Sequence, residues 1–292
     1  MLLNMMALAD WGTAPFSDPQ IQCALVAGVL VAVIGAVVGT FVVLRGLAFI
    51  GDALAHGVLP GIAVAVTVGV NPMWGAIAAA FAMIGGISYV STQTILSTDT
   101  AIGLLFVGML ALGVAIMTRT GSDEHELIDI LFGDILAASG NDIIILAVTA
   151  VCIIVVVRIL YRPLVLLAID ADLAASSGYR ESVFHGLLML LLAATIIVSF
   201  QAVGTLLVFA MILAPAATSA LIARRVPTIM LAASLIGALS VFFGLLASWH
   251  LELAAAATIA VIEVLVFFAV AIVSNLCPSL QYSPAPTPGV EI

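Results

Sequence analysis

The sequence predicts an all-α polytopic membrane protein with about nine transmembrane helices. Three observations carry that expectation. The 292 residues are 64% hydrophobic and only 8% charged, with a mean hydropathy of +1.36. A soluble chain would need roughly 25% charged residues to cover its surface. The apolar residues gather into nine runs, each near the ~20 residues that a helix needs to cross the hydrocarbon core. These runs are 20–43, 48–70, 73–93, 99–118, 141–159, 183–200, 202–223, 227–247 and 251–274. The breaks between them hold turn-forming residues: Asn71-Pro72, Ser97-Thr98-Asp99, Gly121-Ser122-Asp123, Ser139-Gly140-Asn141 and Val226-Pro227.

Residues 1–19 lack the positive n-region of a signal peptide and hold only a short apolar stretch. They read as an outward, partly interfacial lead-in to a transmembrane domain over 20–275. The first run carries Gly28, Gly35 and Gly39, and the fourth carries Gly103, Gly108 and Gly113. In lipid, small residues let helix backbones approach closely. The second run begins just after Arg45 and holds Asp52 and His56 in otherwise apolar surroundings. Residues 45–57 read as part of a full span, as a broken helix, or as a re-entrant piece that would leave eight spans.

Between the fourth and fifth runs lies an outer loop, 119–140, RTGSDEHELIDILFGDILAASG. Asp123, Glu124, Glu126, Asp129 and Asp134, with His125, make it the most acidic patch of the chain. An acidic mouth concentrates cations; a solvated loop that merely stays out of the membrane is the other reading. Glu126–Ala138 has apolar residues near the helical period and is expected in the interface or at a pore mouth. Residues 162–183 form the longest inner connection, in which Asp170 or Asp172 can cap a short helix and Gly178 can end it. Such a helix suits docking of a cytosolic partner, though an ordinary connection fits the residues too. Pro215 sits in the middle of the seventh run and should kink it. Glu263 lies inside the ninth run; an intramembrane acid is a site candidate by default, and a neutral or interface-facing Glu is the alternative. Residues 276–292 are Pro-rich and polar, and no fixed structure is expected there.

Arginine placement sets the orientation. With the N-terminus outside, Arg45, Arg158, Arg162, Arg180, Arg224 and Arg225 fall on the cytoplasmic side and only Arg119 falls outside. The expected topology is therefore N-out and C-in.

Composition also excludes several chemistries. The seven basic residues are all arginines, so the chain cannot build a P-loop, which needs a Lys on the phosphates. Any ATP-driven step must use a nucleotide site on another chain. No basic face exists to bind nucleic acid. Cys23, Cys152 and Cys277 are too far apart for a metal or redox spacing and read as small packed hydrophobes. His125-Glu126 has Asp129 where a metalloprotease would place its second His, and no GxSxG elbow is present. The chain reads as a non-enzyme.

The residues able to do chemistry are Asp52 and His56. At i,i+4 on a helix they share one face, about 6 Å apart along the axis. Carboxylate plus imidazole suits Mn²⁺, Zn²⁺ or Fe²⁺ better than Cu⁺. One chain supplies two ligands, and a two-fold homodimer would supply four around a central path. A capping Asp bonded to its neighbouring His is the structural alternative. His250 and Glu252 at an outer helix end, and His185 at an inner helix start, read as unremarkable.

With these residues set out, the chain resembles the permease subunits of bacterial ABC importers for manganese, zinc and iron. VVLRGLAFIGDALAHGVLPGIA is similar to that family's hallmark segment. LFGDIL at Leu131–Leu136, IDADLAASSG, and VGTLLVFAMILAPAATSALIA at Val203–Ala223 resemble three further blocks in the same order. The resemblance implies a cobalamin-importer-like permease fold and metal contact by Asp52 and His56. It implies as partners a second copy of the chain, cytosolic ATP-binding subunits that engage loop 168–182, and an extracytoplasmic metal-binding protein. It implies the bacterial cytoplasmic membrane, and no cofactor other than the transported Mn²⁺ or Zn²⁺. Pro60 in AHGVLPG is closer to the manganese-type members. A proton-coupled carrier using Glu263 and a non-transporting sensor are the rival functions.

Overall fold

A computed structural model describes residues 15–93, 98–120 and 135–276. The described elements are all helical: α1 (Pro19–Leu44), α2 (Ala48–Gly57), α3 (Leu59–Val68), α4 (Pro72–Gln93), α5 (Thr98–Thr120), α6 (Gly140–Ile159), α7 (Tyr161–Ile169), α8 (Ala171–Ser176), α9 (Glu181–Val203), α10 (Thr205–Ile222), α11 (Val226–Leu251) and α12 (Ala255–Leu276). Among these residues nine stretches are long and apolar enough to cross a membrane, as expected. The acidic residues from Asp123 to Asp134, the lead-in up to residue 14 and the tail from Cys277 lie outside the described residues.

The second span differs in detail from a plain helix. It runs over Ala48–Val68 but breaks at Val58 into α2 and α3. Of the three readings, the broken helix is the one found, and the count stays at nine. Pro60 gives the reason: it has no N–H, so it cannot donate to the His56 carbonyl four residues earlier. It sits instead in the first turn of α3, where no such bond is needed.

α1 is the centre of the bundle. It is apolar on every side, which is the pattern of a helix surrounded by protein, and Ala27, Val31, Ile34, Val38 and Phe41 are fully buried. α10 and α11 pack along one side of it, and α6 and α9 along others. α12 lies across α10 and α11, while α3, α4 and α5 form a second group next to α2.

Close approach rests on glycine where the sequence supplies it. A Cβ on Gly39 would collide with the Ile212 backbone carbonyl, and one on Gly35 would sit 3.0 Å from the Met211 carbonyl oxygen. These carbonyls lie on α10 just before Pro215, and Met211 is the residue whose acceptor Pro215 cannot use. The freed carbonyl therefore faces a glycine rather than lipid. Gly61 and Gly75 bring α3 and α4 into similar backbone contact. Gly204 turns α9 into α10 at φ +82 and ψ 164, a conformation open only to glycine.

Helix ends follow their caps. Ser139 and Asp142 form a reciprocal capping box at the start of α6. Gly178, at φ +85, ends α8 as expected: its N–H donates to the Ala175 carbonyl and the Tyr179 N–H to that of Ala174. Cys152 differs from its expectation; it is exposed on α6 rather than packed.

Candidate metal site

α2 places Asp52 and His56 on one face. Asp52 Oδ1 and His56 Nε2 are 3.5 Å apart. Asp52 lies inside the helix, whose N-cap is Leu47, so it is not the capping residue. The two side chains are 28% and 26% exposed, deep in the bundle yet reachable.

The ring of His56 is fixed by its neighbours. It meets Phe106 of α5 edge-on, with centroids 5.9 Å apart, and Phe106 meets Phe49 in the same way at 6.1 Å. Behind the helix, Gly51 faces Phe209 of α10. Just past the site Gly57 has no side chain because Met83 of α4 occupies that space. His56 Nδ1 is buried and has no partner among the described residues, so Nε2 is the nitrogen turned to Asp52.

The separation is informative. Two ligands about 2.1 Å from one ion stand about 3.4 Å apart at a tetrahedral angle and about 3.0 Å apart at an octahedral one. The observed 3.5 Å is close enough for one ion to bridge the pair without moving the backbone. No third His, Cys, Asp or Glu joins them among the described residues.

Comparison with known proteins settles the lineage. Residues 17–274 match the ABC 3 transport family over nearly the whole helical domain. The chain belongs to the ABC 3 transport family. It is 38% identical over 250 residues to the manganese import system permease protein ScaB of Streptococcus parasanguinis, covering 85% of this chain and 88% of the relative. It is 33% identical over 261 residues to the chelated iron transport system membrane protein YfeD of Yersinia pestis, covering 89% and 87%. Among solved structures, PsaBC from Streptococcus pneumoniae in complex with a Fab superposes with a TM-score of 0.81 at 31% identity, covering 90% of this chain and 95% of that one. An ABC transporter permease of this family works with ATP-binding subunits, in line with the absence of lysine here.

Among the described residues of this ABC 3 family chain, no other His, Cys, Asp or Glu clusters with the pair. Glu263 is 1% exposed on α12, which packs on α10 and α11, and neither carboxyl oxygen has a partner among the described residues. It is not interface-facing. His250 lies in the last turn of α11, which ends at Leu251 and is capped by Glu252 in the left-handed region at φ 52.

His185 proves to be more than an unremarkable helix start. Arg45 Nη1 lies 2.8 Å from His185 Nδ1, which accepts from it, and Arg45 Nη2 is 3.4 Å from Glu181 Oε1. Burial lowers the Arg45 pKa and the Glu181 carboxylate opposes that shift; a guanidinium stays charged regardless. The residues are 136 and 140 positions apart, and no spacing in the sequence signals the contact.

Proposed function

We propose that this chain is the permease subunit of an ATP-driven importer of a divalent transition metal, with Mn²⁺ as the main cargo, and that Asp52 and His56 touch the ion in transit. The observation that carries the reading is the single-face pair at bridging distance on a helix that ends at its own ligand. A carboxylate and an imidazole are hard and borderline donors, as Mn²⁺, Fe²⁺ and Zn²⁺ prefer. Relatives named for manganese and for chelated iron fit that chemistry. Two copies would bring two such pairs to a shared path and complete the coordination that one chain leaves open. An extracytoplasmic metal-binding protein delivers the ion to the outer mouth.

The inner connection then has a mechanical role. α7, α8 and the Gly178 turn make up the surface on which an ATP-binding subunit bears. α9 begins at Glu181, directly after that surface, and Arg45, which ends α1 three residues before α2, contacts Glu181 and His185 in the first two turns of α9. A push on 168–182 is thereby passed to the helix that holds Asp52 and His56.

The test is uptake of radioactive manganese by the complete transporter in proteoliposomes, with Asp52→Ala and His56→Ala in turn. Each variant is expected to assemble normally and lose at least about tenfold in uptake. Uptake near the parent level would remove both residues from the path.

A further inference from the structure

Two cavities at the inner end of the bundle lie apart from Asp52 and His56, and one of them shares Tyr161, Arg162 and Tyr179 with the edge of the surface proposed for the ATP-binding subunit. One, of about 580 Å³, is lined by Arg158, Tyr161, Arg162, Tyr179 and Phe184 among others. The other, of about 390 Å³, is lined by Val37, Ile154, Val157, Pro227 and Met230. Arg158 and Tyr161 line both. Arg158 and Tyr161 thus stand between a basic chamber with two phenol groups and an apolar slot formed by α1, α6 and α11. Both volumes fall within the range of ordinary ligand sites.

No carboxylate lies within ion-pair distance of Arg158 or Arg162 among the described residues. Both guanidiniums are exposed, and arginine presents the fork that matches a phosphate. The two helices that wall the slot also carry exposed apolar side chains, Val151, Val155 and Ile159 on α6 and Leu231 and Leu235 on α11. In a membrane protein such faces meet acyl chains. Arginines and tyrosines at the inner helix ends stand at headgroup height.

We infer that the paired cavities bind one anionic phospholipid of the inner leaflet, its phosphate on Arg158 and Arg162 and an acyl chain in the slot above Met230. Basic pockets between helices on the cytoplasmic side are suited to such headgroups. The bound lipid would brace α7, whose first residue Tyr161 borders both cavities, against α1 and α11.

The experiment uses the full chain purified with its ATP-binding subunit in lipid-free detergent. Native mass spectrometry follows binding of dioleoylphosphatidylglycerol, dioleoylphosphatidylcholine and inorganic phosphate. One phosphatidylglycerol per permease chain is expected, held at least about tenfold more tightly than phosphatidylcholine, and not displaced by millimolar phosphate. Arg158→Gln with Arg162→Gln should bring phosphatidylglycerol down to the phosphatidylcholine level. Ile154→Trp, which fills the slot and leaves both arginines in place, should weaken it by a similar factor and decides the matter if the double variant does not fold. Equal retention of the two lipids, or binding unchanged in Ile154→Trp, overturns the proposal. Displacement by phosphate alone would show an anion site without an acyl slot. Phosphatidylglycerol bound only after the ATP-binding subunit is stripped away would show that the arginines face protein; either outcome also overturns it.

Discussion

Replacing Arg45 by Gln tests the proposed force transmission apart from metal binding, because the contacts of Arg45 are with His185 and Glu181 and not with Asp52 or His56. The magnitude follows from its two contacts. The bond to His185, at 2.8 Å, is part-buried and has one charged partner; such bonds contribute about 1.5–3 kcal/mol. The contact with Glu181, at 3.4 Å, reaches a side chain that is 52% exposed; exposed pairs contribute about 0.2–1 kcal/mol. The His185 bond therefore dominates. Losing both should shift the balance between transporter states by about 2 kcal/mol, or more than tenfold. The assay is manganese uptake divided by ATP hydrolysed, in proteoliposomes holding the complete transporter. Arg45→Gln is expected to retain basal hydrolysis and lose at least about tenfold in that ratio, whereas Glu181→Gln should stay within about threefold. If Glu181→Gln were as damaging as Arg45→Gln, the ranking of the two contacts would be wrong. If uptake and hydrolysis fell together, Arg45 would be holding the fold rather than passing on a push.

Two further outcomes can be checked on the purified chain. Gly39→Ala puts a methyl group into the Ile212 carbonyl, which is backbone and cannot step aside, while the same change at Gly35 meets Met211 at 3.0 Å. Thermal unfolding in detergent should show Gly39→Ala destabilised by about 1–3 kcal/mol and Gly35→Ala by clearly less; equal effects would contradict the packing described. Glu263→Gln keeps shape and burial while removing the ionisable group. With no cation or hydrogen-bond partner reaching its oxygens among the described residues, uptake is expected to stay within about twofold, and loss of uptake in a well-assembled variant would put Glu263 on the transport path.

Much of this architecture was legible in the sequence because lipid leaves so few options. Backbone groups in hydrocarbon must be bonded within the segment, so each apolar run of sufficient length becomes a helix and its punctuation becomes a helix end. The runs at 141–159 and 227–247, for example, became α6 and α11 with shifts of a few residues. Local chemistry could be read in the same way. The i,i+4 spacing put Asp52 beside His56, and Gly178 ended its helix with the bonds expected of it. Contacts between distant segments could not be read. Nothing local to Arg45 points to His185, and nothing in a run of alanines and glycines says that Gly61 will meet Gly75 rather than another small residue. Apolar surfaces that all look alike to lipid are matched by shape, and shape is not a one-dimensional property.

The break at Val58 is where local and distant effects meet, and it bears directly on transport. Pro60 withholds the one N–H that would continue the helix past His56, so the ligand-bearing turn ends at a joint. Leu59 with Pro60 against Gly113 holds the far side of that joint, while Met83 against Gly57 packs on the last residue of α2. α2 packs on α5, α9 and α10 and α3 on α4 and α5, so on the proposed function a joint at Val58 lets the two halves of the span follow different neighbours. Pro60→Ala restores the donor and adds a hydrogen bond of about 1 kcal/mol to a straight helix. The variant is expected to be as thermally stable as the parent or more so, yet to import manganese several-fold more slowly, because a rigid span resists the movement that releases the ion. Parent-level uptake from a stable Pro60→Ala chain would show that the ligand pair moves without a joint beneath it, and the path would have to open by displacement of whole helices.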